Sequence, residues 1–224
     1  MTRATSKIST AAESEWSLDD VEHLVLEGVS WELYEHLLKV VGDRPLRLTY
    51  DNGELEIMSP LPEHEDAKIM LGSMVRELLI EQNVPQRGLG STTFRRQLKK
   101  KGLEPDECFY IQNQPKIAGK RRINLDRDPP PDLAIEIDIT SRSVPRLPIY
   151  AALGVPELWR YDGKKLHCLR LDRGTYRPSD FSLALPRLRV ADLLRFVRIA
   201  EQKGDQTAAL RAFRTWLRRQ KWVM

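Results

Sequence analysis

The sequence predicts a mixed α/β fold in which helices flank a central mixed β-sheet. Helical periodicity over residues 31–41 and 63–82 predicts two amphipathic helices, and alternating residues around Asn52-Gly53 predict a β-hairpin. The alternating apolar segment 132–140 predicts a buried strand. Because helices and strands follow one another in the order α-ββ-α-ββ-β-α-ββ-αα, we expect a sheet covered by helices.

Local signals justify each element in turn. Residues 17–29 are expected to form an irregular or helical lead-in, and Ser30 and Gly42 are the expected N-cap and stop of the first helix. Two strands, 91–99 and 105–111, are predicted on either side of a basic turn at 99–102. The remaining predicted elements are a loop over 112–131, a helix from Pro145 to Gly154, strands at 158–161, 166–171 and around Tyr176, and helices near 190–202 and 205–220.

Composition excludes several classes of protein. The chain has 224 residues, of which 41% are hydrophobic and 30% charged, so it can bury a sizeable core. Its two cysteines exclude a disulfide framework and a four-thiolate zinc site. No apolar stretch approaches the roughly 20 residues that span a bilayer, and the N-terminus lacks a signal-peptide core. We therefore expect a cytoplasmic protein that makes no membrane contact.

Charge divides the chain into three expected regions: a polar leader at 1–16, a main domain at 17–186 and a basic helical extension at 187–224. The extension carries ten basic and three acidic residues, a net charge of +7, while the other 186 residues have a net charge of −3. This asymmetry is compatible with a nucleic-acid partner, DNA first and RNA second. The alternative is a solvated arginine-rich helical face. The extension could also close the core or form a homodimer interface.

Segment 132–140 carries acidic residues on one face. Four apolar residues alternate on the other face: Leu133, Ile135, Ile137 and Ile139. Glu136 and Asp138 lie roughly 6–7 Å apart along the strand, whereas Asp132 is roughly 13 Å from Glu136. A hard cation would need another oxygen ligand from a neighbouring strand, for which Asp106 is the candidate. The residues alone leave three readings open: a metal site, an exposed sheet face, or a salt-bridge network.

Several motifs together resemble one protein family. They are Gly53–Pro60, His64 ahead of a helix, Glu104-Pro-Asp106, Pro130–Glu136 and Tyr150–Trp159. Their order and spacing resemble the Uma-two family of endonucleases, within the PD-(D/E)XK restriction-endonuclease-like superfamily, over about residues 30–185. The resemblance implies a restriction-endonuclease-like fold with a C-terminal helical extension. It also implies cleavage of nucleic-acid phosphodiesters with Mg²⁺ or Mn²⁺ as cofactor.

The resemblance also assigns roles to residues. Asp106 matches the acid of the Pro-Asp motif, and Glu136 matches the acid of the (D/E)XK triplet. Asp138 stands where the triplet normally has lysine, so Asp106, Glu136 and Asp138 are the expected catalytic and metal-binding set. Another cation could replace the lysine, the metal alone could activate water, or catalysis could be lost. The candidate replacements are Arg142 and Arg146, with Gln97, Lys99 and Lys116 as weaker ones.

Two other functions stay open. One is a catalytically inactive nucleic-acid-binding or interaction module that retains the nuclease fold, and the other is a hydrolase of a different phosphate ester. Basic residues in segment 92–101 could bind a nucleic-acid backbone or form a solvated turn. His64, Glu65 and Glu77 are secondary site candidates, for which a structural or surface role is the alternative.

Overall fold

The computed structural model describes residues 23–42, 44, 46–59, 62–139 and 144–220, and this part has a mixed α/β fold. Its strands are β1 (His23–Leu26), β2 (Arg47–Asp51), β3 (Glu54–Met58), β4 (Arg87–Gly88), β5 (Phe94–Arg96), β6 (Lys101–Leu103), β7 (Glu107–Tyr110), β8 (Leu133–Ile137), β9 (Glu157–Tyr161), β10 (Leu166–Asp172) and β11 (Thr175–Ser179). Its α-helices are α1 (Trp31–Val41), α2 (Pro62–Glu81), α3 (Gln114–Ile117), α4 (Arg146–Leu153), α5 (Leu194–Lys203) and α6 (Gln206–Arg219).

The strands form two sheets. The smaller sheet has the order β1-β3-β2-β6-β5, and the larger has the order β11-β10-β9-β8-β7-β4. In the larger sheet β8 and β9 run parallel, and α4 lies between them in the chain as the crossover that a parallel connection requires. Since β6 and β7 belong to different sheets, the chain passes from one sheet to the other between Leu103 and Glu107. Asp106 therefore lies at the junction of the two sheets.

The first helix and the first hairpin form where the local sequence specifies them. The Ser30 side chain accepts a hydrogen bond from the backbone N–H of Leu33 (3.1 Å), as an N-cap should. In the turn between β2 and β3, φ is 48° at Asn52 and 105° at Gly53. Asn and Gly adopt these left-handed conformations at lower cost than other residues. Both predicted elements are confirmed.

The apolar face of β8 lies against helices α2, α5 and α6. Leu133, Ile135 and Ile137 belong to one buried cluster with α2, α5 and α6. The helices contribute Leu71, Met74, Leu78, Phe196, Val197, Phe213 and Leu217 to it. The opposite face of β8 packs against α4 through Ala134. The arginine-rich C-terminal helices therefore help to close the core, one of the roles that their sequence left open.

Three predicted elements differ from the structure. Within segment 17–29, residues 23–26 form a strand rather than a helix, because they pair along the edge of β3. The strand predicted over 91–99 is confined to β5, and its hairpin partner is β6, since β7 joins the other sheet. The acidic strand is shorter than 132–140, so Asp138 lies just past its end.

Some expectations lie partly or wholly beyond the described residues. The leader 1–16 and the Arg142 candidate are outside them. Among the helices that the structure does describe, none is both long and apolar enough to cross a bilayer.

Candidate active site

Asp106 lies directly before β7, opposite Glu136 of the neighbouring strand β8. The antiparallel register of β7 and β8 pairs Glu107 with Ile135, so the next pair outward is Asp106 with Glu136. Directly opposite side chains share a face of the sheet, with Cβ atoms roughly 4.5–5.5 Å apart. The backbone N–H of Ile137 donates to Asp106 Oδ2 (2.6 Å) and so holds this carboxylate against β8. The two acids lie close together, but Asp106 precedes β7 rather than lying on it as predicted.

The charge of Asp106 is balanced by an arginine of the smaller sheet. Arg47 on β2 donates through Nη1 to Asp106 Oδ1 and through Nη2 to Glu65 Oε1 (3.2 Å). Both Arg47 and Asp106 are buried. Burial lowers the pKa of Arg47, and neighbouring carboxylates, led by Glu136, oppose that effect. This ion pair therefore joins the two sheets at the junction.

Glu136 is bound by two side chains of α4. Arg146 Nη1 lies 3.0 Å and 3.2 Å from the two carboxylate oxygens, and the Tyr150 hydroxyl donates to Oε1. Positions 146 and 150 are about one helical turn apart, so both residues reach Glu136 from the same face of the helix. Burial opposes the charge of Arg146, but Glu136, Tyr150 and Glu56 together outweigh burial, and the pKa of Arg146 is raised.

Strand β3 brings a further carboxylate that the sequence reasoning missed. Glu56 is 1% exposed, and its Oε2 lies 3.8 Å from Arg146 Nη2. The alternation of the hairpin predicts Glu54 and Glu56 on one polar face, but only Glu54 is exposed. The only sequence signal for Glu56 is its place inside the Gly53–Pro60 motif that carries the family resemblance.

Asp138 lies beside an open cavity and pairs with an arginine from β9. Arg160 Nε donates to Asp138 Oδ2 (2.7 Å), and the Arg160 side chain is 43% exposed. The parallel register pairs Arg160 with Glu136 on the next strand. Glu136, Asp138, Arg146 and Arg160 all line a cavity of about 720 Å³. Arg160 is thus a cation of the cavity wall that contacts the residue at the missing lysine position, and no sequence signal pointed to it.

A divalent cation does not fit this arrangement. Carboxylate oxygens are the right ligands for Mg²⁺ or Mn²⁺, but each of the three predicted ligands binds an arginine guanidinium instead. Among the residues that the structure describes, no group of three or more His, Cys, Asp or Glu is placed to hold a metal ion. The catalytic and metal-binding roles of Asp106, Glu136 and Asp138 stay predictions.

The secondary candidates fall in different places. Glu65 contacts Arg47 at the junction, so it is more than a surface charge. His64, at the start of α2, is buried, with 3% of its surface exposed. Glu77 is far along α2 and forms an ion pair with Arg214 of α6. That contact lowers the pKa of Glu77 and ties α6 to α2, which is a structural role.

The remaining acid of the strand is structural. Asp132 accepts hydrogen bonds from the backbone N–H groups of Ile111 (2.7 Å) and Asn113 (2.9 Å), and from the Asn113 side chain (2.8 Å). These donors belong to the turn after β7. Asp132 therefore fixes that turn, as its distance from Glu136 along the strand suggested.

Comparisons with known proteins agree with this fold. The Uma2 family model, described as "Putative restriction endonuclease", matches residues 31–200. A solved structure, "a putative nuclease belonging to DUF820 from Anabaena variabilis ATCC 29413", is similar over 73% of this chain and 97% of that chain, with a TM-score of 0.51 and 16% sequence identity. No curated protein matches the chain. The solved structure supports the fold, and the family model covers well over half of the sequence. The chain therefore belongs to the Uma2 family.

Proposed function

We propose that this protein is a nuclease that hydrolyses phosphodiester bonds of DNA at the cavity lined by Glu136 and Asp138. The observation that carries the proposal is Glu136, which lines an open cavity and lies opposite Asp106, in a chain of the Uma2 family. A cavity of about 720 Å³ falls within the usual range for sites that hold molecules of nucleotide size.

The side chains around the cavity suit a phosphodiester. The Arg160 guanidinium is partly exposed and can donate two parallel hydrogen bonds to phosphate oxygens. Fixed positive charge of this kind stabilises the extra negative charge of a phosphoryl transition state. Glu136, held in place by Arg146 and Tyr150, is positioned to orient an attacking water or accept its proton.

Dependence on Mg²⁺ or Mn²⁺ is a separate part of the proposal. It follows from the family resemblance and from the oxygen-rich set of side chains. Before an ion could bind, however, Arg47 and Arg146 would have to release the carboxylate oxygens that they now contact. The two parts therefore need separate tests.

A second candidate is a nucleic-acid-binding module without catalytic activity. The observation in its favour is that Asp106, Glu136 and Asp138 each pair with an arginine, as in a structural salt-bridge network. Such a module would bind DNA tightly without metal and would not cleave it.

The test is cleavage of supercoiled plasmid by purified wild-type protein and by Asp106→Asn, in Mg²⁺, Mn²⁺ or EDTA. Glu81→Gln, an exposed substitution at the end of α2, is the matched control. We expect cleavage by the wild type and the control in Mn²⁺, with a loss of at least about 100-fold in Asp106→Asn. Cleavage that persists in EDTA would refute the proposed dependence on a divalent metal and leave the nuclease proposal standing. DNA binding without cleavage under every condition would establish the module instead.

A further inference from the structure

The hairpin formed by β5 and β6 carries an exposed leucine among positive charges. Leu98, in the short 3-10 turn Gln97–Lys99, is 94% exposed. Five cationic residues surround it in the sequence: Arg95, Arg96, Lys99, Lys100 and Lys101. A single exposed leucine is common on protein surfaces, so its meaning depends on how the turn is held and on what lies beside it.

The turn is fixed against the neighbouring hairpin. The Lys100 N–H donates to the Gln97 carbonyl (2.9 Å), and the Lys100 carbonyl accepts from the Asn52 N–H (2.9 Å). Lys101 forms an ion pair with Asp51. Leu98 is therefore exposed to solvent at the end of a braced turn.

The base of the hairpin also packs closely on α1. A Cβ atom added at Gly102 would lie 2.3 Å from the Tyr34 hydroxyl oxygen, so only glycine fits there. Since Gly102 is on β6, this contact sets the position of the hairpin relative to the helix.

A basic groove continues from the hairpin. A cavity of about 650 Å³ includes Arg95 and Gln97 in its wall, so it reaches the turn itself. Its charged lining consists of four arginines and two carboxylates: Arg87, Arg95, Arg121, Arg122, Glu35 and Asp126. Arg121 and Arg122 are exposed. The surplus of arginine suits a row of phosphate groups.

This groove adjoins the candidate active site. Thr93 lines the groove and donates to Glu104 Oε1 (2.7 Å), while the Glu104 carbonyl accepts from Arg146 Nη1 (3.4 Å). Asp106 follows Leu98 by eight positions, so their Cα atoms are at most roughly 29 Å apart at about 3.6 Å per residue. That distance is shorter than one turn of B-form DNA, about 34 Å.

We propose that the β5–β6 hairpin and the arginine groove bind duplex DNA, with the arginines and lysines on phosphates and Leu98 inserted between base pairs from the minor groove. Proteins that kink DNA use apolar wedges of this kind, flanked by cations that contact the backbone. The inference rests on the proposed function, because it names the surface that presents the duplex to the cavity beside Glu136.

The first test measures the phosphate contacts. The Kd for a 30-base-pair duplex is measured in EDTA at several salt concentrations for the full-length protein and for Lys99→Gln/Lys100→Gln. The matched control is Lys164→Gln/Lys165→Gln, two exposed lysines in the turn between β9 and β10. We expect the hairpin variant to bind about tenfold more weakly, with a salt slope smaller by about 2, and the control to match the wild type.

The second test measures the wedge. Duplexes with 2-aminopurine at successive positions report unstacking as a rise in fluorescence when protein binds. We expect a rise at one or two adjacent positions with wild-type protein, and its loss in Leu98→Ser. Ile80→Ser, which changes a side chain of α2 that is 70% exposed, should keep the signal.

The outcomes separate this inference from the function on which it rests. If the wild type binds and cleaves the duplex while Lys99→Gln/Lys100→Gln and its control behave alike, the hairpin surface is wrong and the nuclease proposal stands. Unstacking that survives in Leu98→Ser would refute the wedge. If the wild type binds no duplex DNA in any salt, this inference fails, and if it also cleaves no plasmid in Mn²⁺, the nuclease proposal fails with it.

Discussion

Glu136 and Glu157 are both buried glutamates on neighbouring strands of one sheet, but different kinds of donor satisfy them. Glu157 accepts from the backbone N–H groups of Leu183 (2.5 Å) and Ala184 (2.7 Å) and from the Trp159 indole N–H (2.5 Å). These donors are neutral and belong to β9 and to the segment after β11. The contact therefore attaches that segment to the sheet.

Glu136 is held by side chains at the edge of a cavity. Among the residues that the structure describes, the Arg146 guanidinium and the Tyr150 hydroxyl donate to it, and Glu136 itself lines the cavity. A backbone donor cannot leave without moving the chain, whereas a side chain can change its rotamer. The comparison indicates that Glu157, with its neutral donors, holds the fold together. Glu136, with side-chain donors beside a cavity, is available for chemistry.

The largest effect that the comparison predicts is on stability at Glu157. In Glu157→Ala, two backbone N–H groups and the indole N–H lose their acceptor, and each unsatisfied buried donor costs about 1–3 kcal/mol. We expect the free energy of unfolding to fall by about 4 kcal/mol, measured by urea denaturation. Glu54→Ala, an exposed glutamate on β3, is the control. A fall below about 1 kcal/mol would contradict the structural role.

The next effect concerns the Glu136–Arg146 pair. Arg146→Met removes the positive charge that pairs with the buried Glu136 carboxylate. We therefore expect the free energy of unfolding to fall by about 3 kcal/mol. Because Glu136→Gln removes the other charge, the double variant should recover at least half of that loss in a double-mutant cycle. If the changes in unfolding free energy of the two single variants simply add in the double variant, the two side chains do not interact, and the ion pair seen in the structure is wrong.

Arg160 should separate activity from stability. Its ion pair with Asp138 is partly exposed, so Arg160→Gln should change the unfolding free energy by less than about 1 kcal/mol. Plasmid cleavage should nevertheless fall about tenfold or more, because the guanidinium faces the cavity. Arg177→Gln, which breaks an exposed pair with Asp172 in the same sheet, is the matched control for both measurements. If Arg160→Gln cleaves plasmid at the wild-type rate, Arg160 has no part in catalysis.

The smallest predicted effect concerns Glu104, a partly buried carboxylate that accepts a hydrogen bond from the Thr93 side chain. Burial raises the pKa of Glu104 above its usual 4.5, although a hydrogen bond from Thr93 opposes the shift. The ionised form is thus disfavoured in the folded state, and the penalty is present above about pH 4.5 and absent well below it. We expect Glu104→Gln to melt slightly higher than the wild type at pH 7 and at the same temperature at pH 3.5. An equal difference at both pH values would contradict this origin.

The sequence could predict the parts of the fold that depend on local pattern. Helix α1 with its Ser30 cap, the Asn52-Gly53 hairpin and the alternation along β8 all follow from neighbouring residues. The pairing of the Asp106 segment with β8 was also expected, because two acidic strands close in sequence were predicted. Strands β1 and β4 have four and two residues, too few for a periodic signal, and they form only because a longer strand offers an edge.

The site could be predicted only in part. The acids Asp106 and Glu136 carry motif signals, but their arginine partners do not. Arg47 comes from the smaller sheet and Arg160 from a parallel strand, and the positions of both depend on long-range packing and register. Arg146 was a candidate for the missing lysine, yet the structure pairs it with Glu136, which no local pattern indicates.

The most direct test of the account is the rate of plasmid cleavage by Glu136→Gln beside that of Glu157→Gln, each assayed where circular dichroism shows it to be folded. We predict that Glu136→Gln cleaves at least about 100-fold more slowly than the wild type, while Glu157→Gln, although less stable, cleaves close to the wild-type rate. Cleavage by Glu136→Gln at the wild-type rate would show that this carboxylate only holds α4 against the sheet.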